Sequence, residues 1–475
     1  MILLATMLAL QVAPLLSNGN FENGLTGWKV EGKASVEGGK LHLGSGKAAV
    51  RQRYEVPGLR MLFFGATLKP DAPTTKGRVR LQCFDEHGRL LLDRDGAPDP
   101  KKGTAGIYLK TQAHTAYVVL SIEKEAAGTL VADDAGLKDD DRDRVEHAPQ
   151  VDLDAYMRPI WEGDTVIDET VLLAEGSGRL LFRPTKILSV RDSALKKEYR
   201  EGTDFTLGGN VLSPVAGSDI LKMDESQFVK GEFPWTDLAG HHVKVTYTHE
   251  GAWNGPLPRP QGNLLPNTLA KLKAKKPLTI VAYGDSITLG INVSGFLNVP
   301  PYMPPWPSLV ARQLGKRYGD DRIQLYNTAL GGMTANWAKE NAKDLVAALD
   351  PDLVIVAFGM NDFWSYTPPQ FAEQIQGTLK AIRTRRPRVE FLLVASMKFD
   401  PAYTKDPTYV GNLAGYAAEL HKMAGPGVAV FDMTALSDAL YRAKSQKDLA
   451  TDPMHPDDFF ARWYAQGVVA TLEKP

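Results

Sequence analysis

Leu278-Thr-Ile-Val-Ala-Tyr-Gly-Asp-Ser-Ile-Thr-Leu-Gly290 is the stretch on which the fold turns. Its first six residues form a near-continuous apolar run of strand length, the pattern of a strand buried on both faces. The run passes directly into Gly284-Asp285-Ser286, residues that favour a turn, so a serine stands just past the carboxyl end of a strand. Further runs of strand length follow at Arg322–Tyr326, Asp352–Phe358, Val389–Ala395 and Val428–Phe431. Amphipathic stretches at Pro307–Tyr318, Pro369–Thr384 and Leu413–Met423 fall between them. Strands alternating with helices predict a parallel sheet covered on both faces, and such sheets bind ligands beyond the carboxyl ends of their strands.

Upstream the language changes. From Leu16 to about Lys138 short runs such as Lys40–Gly44 and Ala116–Ile122 alternate apolar and polar residues between turn formers, which predicts an all-β domain over 16–145. A charged stretch, Lys138–Arg144, reads as a solvated linker. A second, smaller β-rich domain is predicted over 151–250 from Thr165–Leu173, Gly178–Phe182 and His242–Tyr247. Gly251–Thr268, with four prolines, reads as a linker, and the α/β domain occupies 259–475. Three domains suit 475 residues, too many for one core.

Residues 1–15 begin with an apolar run, Met1–Ala13, too short to span a bilayer and of signal-peptide length, although no Lys or Arg precedes it. Secreted or periplasmic placement is therefore expected. Lys and Arg number 55 against 56 Asp and Glu, with no long basic run, which argues against a nucleic-acid partner. Cys83 is the only cysteine, which excludes an intrachain disulfide and reads as a small buried apolar residue.

Three further blocks follow Gly284-Asp285-Ser286: Asn327-Thr-Ala-Leu-Gly-Gly332 after the second strand, Gly359-Met-Asn361-Asp362 after the third, and Asp452-Pro-Met-His455-Pro near the C-terminus. From about Pro277 onward the chain thereby resembles the SGNH (GDSL-type) hydrolases, named for Ser, Gly, Asn and His. The resemblance implies a three-layer α/β/α, flavodoxin-like domain behind two N-terminal all-β domains, the first a jelly-roll-like sandwich. The G-x-S-x-G elbow of α/β-hydrolases is absent. Asn18–Trp28 and Leu130–Leu137 resemble the two adjoining ends of a jelly-roll carbohydrate-binding module, where oxygen ligands often hold a structural calcium. Glu22 and Asp134 are the candidates carried over for that ion, and a sandwich without any ligand is the alternative.

A serine hydroxyl needs a base within hydrogen-bonding reach and a third group to hold that base. His455 and Asp452 have an i, i+3 spacing, expected at the start of a helical stretch, that puts both on one side of the chain. The only other histidine of 259–475, His421, lies mid-helix without a carboxylate at that spacing. The resemblance implies Ser286 as nucleophile and an oxyanion hole built from the backbone N–H groups of Ser286 and Gly332 and the side-chain amide of Asn361. Asp285 and Asp362 read as structural, tying loops together. Tyr302, Trp306, Trp337, Phe363, Trp364 and Tyr366 cluster near the expected mouth, and rings there either stack on sugars or fill the core. Trp306, Trp364 and Tyr302 are the candidates for substrate binding, with the Pro-rich stretch Val299–Trp306 as a rim. No cofactor is expected for catalysis, since neither a phosphate-binding glycine loop nor a zinc signature occurs.

The reading that follows is a secreted serine esterase acting on O-acyl, foremost O-acetyl, groups of a carbohydrate partner. A lipase, lysophospholipase or thioesterase is the first alternative, a carbohydrate-binding protein with an inactive hydrolase domain the second, and an acyltransferase the third.

Overall fold

The computed structural model describes residues 15–473 apart from 59, 113, 126–127, 140–146, 174–175, 221–239, 320–321 and 400–408. The expected leader, bar residue 15, and most of the acidic linker lie outside the described residues. Two compact units form, Met1–Val145 and Glu146–Pro475.

The first unit is a sandwich of two antiparallel five-stranded sheets. One joins β1 (Lys29–Glu31), β4 (Ala48–Glu55), β9 (Tyr117–Lys124), β6 (Gly77–Phe84) and β7 (Leu90–Gly96) in that order. The other joins β2 (Ala34–Glu37), β3 (Lys40–Leu43), β10 (Leu130–Asp139), β5 (Met61–Pro70) and β8 (Thr104–Lys110). Strict alternation of buried and half-exposed residues along β6 is the period-two signature of a strand with one face in the core. Cys83 lies on the inner face, where burial pushes its thiol up. The ends of the unit meet where Ala135 N–H donates to the Gly19 carbonyl at 2.9 Å. Glu22 and Asp134 are both exposed, and among the described residues no three His, Cys, Asp or Glu side chains gather as a metal-holding group.

In the second unit the sheet order is β18 (Ile323–Asn327), β17 (Leu278–Gly284), β19 (Leu353–Ala357), β20 (Glu390–Ala395) and β21 (Val428–Asp432), all parallel. This is the doubly wound order of a flavodoxin-like sheet, whose switch point flanks β17. Three helices connect β18, β19, β20 and β21 in turn: α6 (Ala335–Leu345), α7 (Pro368–Arg385) and α8 (Asn412–Lys422), packed in a row. On the other side α5 (Trp306–Tyr318) packs on α10 (Asp458–Leu472). The three-layer α/β/α architecture is the one expected.

The β-rich stretch at 151–250 lies in the same compact unit as the parallel sheet, not in a unit of its own. It forms two three-stranded sheets, β11 (Thr165–Leu172), β16 (His242–His249) and β13 (Pro184–Asp192), and β12 (Gly178–Arg179), β15 (Val211–Pro214) and β14 (Phe205–Gly208). Polar bonds explain the fusion. Lys444 donates to the Glu169 carboxylate and to the Thr170 carbonyl, with both ionic side chains fully buried. Tyr247 and the Leu181 N–H also donate to Glu169, at 2.6 and 2.7 Å. Arg462 and Gln466 of α10 both donate to the Tyr156 carbonyl. The Pro-rich stretch is fastened too: the Gln261 amide pairs with both backbone groups of Val430, capping the edge strand β21.

A buried charge left without its partner is costly. Lys444→Met is therefore expected to lower the unfolding free energy of this unit by about 3 kcal/mol, read from urea unfolding; an unchanged midpoint would show that the pair does not hold the β-rich stretch in place.

Candidate active site

Each of three strands delivers one loop to a single point. At the end of β17 an added Cβ on Gly284 would stand 2.2 Å from Thr288 Oγ1 and 2.6 Å from the Ala357 carbonyl oxygen, so only glycine lets the chain pass. Asp285 then caps the short helix α3 (Ser286–Leu289), accepting from Ile287 N–H at 3.0 Å, and Ser286 is the first helical residue. First-turn amides have no acceptor within the helix, which leaves Ser286 N–H available.

The loop after β18 stays on β17: Thr328 N–H donates to the Ala282 carbonyl at 2.9 Å and Leu330 N–H to that of Gly284 at 3.0 Å. This carries Gly331 across Ser286, close enough that an added Cβ would lie 3.7 Å from the serine Cβ. Gly332 has φ +79°, a left-handed conformation, and open space where its side chain would be. The loop after β19 is bonded to its neighbour by consecutive residues. Asn361 Nδ2 donates to the Met333 carbonyl at 3.1 Å, and Asp362 Oδ1 accepts from Ala335 N–H at 2.8 Å.

The histidine arrives from far along the chain. His455 Nε2 lies 2.8 Å from Ser286 Oγ, and His455 Nδ1 lies 2.8 and 3.0 Å from the two oxygens of Asp452. A carboxylate has no proton to give, so Nδ1 carries the hydrogen and Nε2 accepts from the serine hydroxyl. The pair does not stand at the start of a helix, as its spacing suggested. It sits on a tight hairpin of β22 (Ala450–Asp452) and β23 (His455–Pro456), and α10 begins only at Asp458. Pro453 disfavours a helical residue before it, and the Asp452 carboxylate closes the turn by accepting from Met454 and His455 N–H at 2.8 and 3.0 Å. Asp452 also accepts from Asn292 Nδ2 at 2.8 Å, a contact no sequence pattern announced. His421, which sequence spacing left without a carboxylate, is bonded to Asp432 at 2.9 Å.

The aromatic candidates separate. Trp306 is 1% exposed, donates its indole N–H to the Ile287 carbonyl at 3.1 Å and stacks on Tyr464; it is a core residue and not a surface for substrate. Tyr302 is half-exposed with its ring stacked on His147. Trp364 is 41% exposed, beside Phe363 and Phe399, and two residues beyond Asp362. Trp337 packs on Tyr283 in the core side of its helix, and Phe363 is fully buried.

Burial dominates the two aspartates that tie these loops. It raises the Asp285 carboxyl to about 6, opposed by the Ile287 N–H and the nearby His455. It raises Asp362 to about 7, opposed by Ala335 N–H and reinforced by the charge of Asp285. Asp362 Oδ2 is buried without a hydrogen-bond partner, which suits a carboxyl that keeps its proton.

A serine, a histidine and an aspartate joined in line at the carboxyl edge of a doubly wound sheet are equipped to move a proton off the serine hydroxyl, the chemistry of a serine hydrolase domain. Residues 282–461 match the sequence model of the GDSL-like lipase/acylhydrolase family. No curated protein matches the chain. Among solved structures it is similar to LAE5, an α/β hydrolase enzyme from the metagenome of Lake Arreo, Spain, at 21% identity over 42% of this chain and 95% of that one, TM-score 0.35. It is similar to the acetylxylan esterase Axe2 of Geobacillus stearothermophilus at 19% over 42% and 96%, TM-score 0.35. A two-domain esterase active on acetylated mannans matches at 18% over 46% and 53%, TM-score 0.36.

A carboxyl whose pKa is raised on folding stabilises the fold below its unfolded value and loses that contribution as pH rises through the folded value. Asp362→Asn is thus expected to gain melting temperature relative to wild type progressively between about pH 4 and pH 7, by thermal unfolding at fixed ionic strength. A difference that stays flat across that window would contradict the burial of an ionising Asp362.

Proposed function

We propose that this chain is a serine esterase that removes small O-acyl groups, acetyl foremost, from polysaccharides or oligosaccharides outside the cytoplasm. The observation that carries the reading is the unbroken line Ser286 Oγ, His455, Asp452, with contacts of 2.8 Å on both imidazole nitrogens. Ser286 Oγ attacks the ester carbonyl while its proton passes to His455 Nε2. The imidazolium, held by Asp452, returns that proton to the leaving sugar oxygen. Water then attacks the acyl-serine with His455 as base, releasing the acid and restoring the serine.

The oxyanion of each tetrahedral intermediate would be met by the N–H groups of Ser286 and Gly332 and by Asn361. That amide gives one of its two hydrogens to Met333 and has a second to offer. The reaction needs no cofactor, because every proton transfer has a donor and acceptor among these side chains. Exposed Trp364 offers a ring face to a sugar beside this point, and the N-terminal sandwich would raise the local concentration of a polymeric substrate if it holds glycan. The apolar segment at the N-terminus supports export, and among the described residues no helix is long and apolar enough to cross a membrane.

Acetate release from acetylated xylan and mannan tests the substrate class. Wild type is expected to release acetate and Ser286→Ala to release none; cleavage confined to long-chain esters would instead indicate a lipase, and no cleavage of either a binding protein. Asn361→Ala is expected to reduce kcat by about 10²–10³ while leaving KM for a small ester nearly unchanged, in steady-state kinetics on p-nitrophenyl acetate. A change in KM alone would remove Asn361 from the oxyanion hole.

A further inference from the structure

We propose that Asn292 is a positioning residue of this site: its side-chain amide fixes the Asp452 carboxylate and thereby keeps His455 aimed at Ser286. The proposal rests on the triad reading above. Among the described residues, the donors to Asp452 are Met454 N–H, His455 N–H, His455 Nδ1 and Asn292 Nδ2. The first three belong to the hairpin of Asp452 itself. Asn292 alone comes from the segment of the nucleophile, between α3 and α4 (Ser294–Leu297). It is therefore the cross-brace between the serine loop and the histidine hairpin. It also acts on the oxygen that matters, because Asp452 Oδ2 receives both Asn292 Nδ2 and His455 Nδ1 at 2.8 Å.

Packing does not explain an asparagine here. The side chain is 2% exposed, and its Oδ1 is buried without a hydrogen-bond partner. An unmet acceptor in the interior is a cost that an apolar residue of similar shape would avoid. The residue also takes φ +77°, which asparagine and glycine tolerate better than other residues. What the amide gains in exchange is the charge-assisted bond to Asp452.

The loop that carries it is clamped on its far side. Ser294 N–H donates to Asp458 Oδ1 at 2.8 Å, and Asp458 Oδ2 accepts from Lys244 Nζ at 2.9 Å, with Lys244 buried on β16. The β-rich stretch thus reaches the triad through Lys244, Asp458 and the loop of Asn292. Without the amide, the carboxylate keeps only the bonds from its own hairpin, nothing ties it to the serine segment, and the imidazole loses aim by an amount that matters for proton transfer.

The test uses Asn292→Gly, which accepts the positive φ, and Asn292→Asp, which keeps the shape but has no donor when ionised. Both are expected to lose about 10–100-fold in kcat on p-nitrophenyl acetate, with KM within about twofold and a parallel fall in the rate of inactivation by a fluorophosphonate. Either variant showing wild-type kcat and inactivation per folded molecule, with folding read by circular dichroism, would overturn the proposal. Ser286→Ala assayed alongside separates the two levels: if it is inactive while the Asn292 variants are not, only this inference fails, and if it is active the triad reading itself fails.

Discussion

The bond from Ser286 to His455 joins residues 169 positions apart, and nothing local to either segment holds it. Its length is set by the parallel sheet on one side and by the seating of α10 on the other. The sheet fixes the serine, because β17 lies between β18 and β19 and the loops that leave all three are bonded to one another before they diverge. The hairpin of Asp452 and His455 has no place in that sheet. It is located by the start of α10 and by the loop of Asn292, so any slack in α10 would appear as slack in the triad.

That requirement gives the β-rich stretch a physical role beyond spacing. It surrounds α10 with hydrogen bonds to Arg462, Gln466 and Asp458 and sets Trp161 in a tilted contact against Trp463, which Trp253 of the following linker also meets. Nearly every residue of α10 is buried as a result, including a guanidinium and an amide that a surface helix would expose. Buried polar networks of this kind tolerate few alternative arrangements, because each displaced partner leaves another group unmet. A rigid α10 places the histidine hairpin with the tolerance that proton transfer demands.

Much of this was legible in the sequence. Four of the five parallel strands announced themselves as apolar runs because both of their faces are covered, the edge strand β18 being only partly buried, and the blocks at 284–286, 327–332 and 359–362 fall at strand ends as their order indicated. The sequence also brought Ser286, Asp452 and His455 forward as a set, and the fold brings them together. What escaped was non-local. An i, i+3 spacing is shared by a helix and by a tight hairpin, and only Pro453 pointed to the second. Trp306 looked like a rim residue because it follows a proline-rich loop, yet it is the first residue of α5 and faces Tyr464. Asn292 carried no pattern at all, since its partner lies 160 residues away. That 151–250 packs in one compact unit with the parallel sheet was not legible, because buried ion pairs between two segments leave no mark in the composition of either.

The central claim is that a covalent acyl-enzyme forms on Ser286, and it is tested most directly by mass spectrometry of the protein acid-quenched during turnover of an activated acetate ester. The account predicts a single added acetyl mass that maps by peptide fragmentation to Ser286 and disappears as substrate is exhausted. Turnover with no adduct on Ser286, or with the acetyl group on another residue, would contradict it.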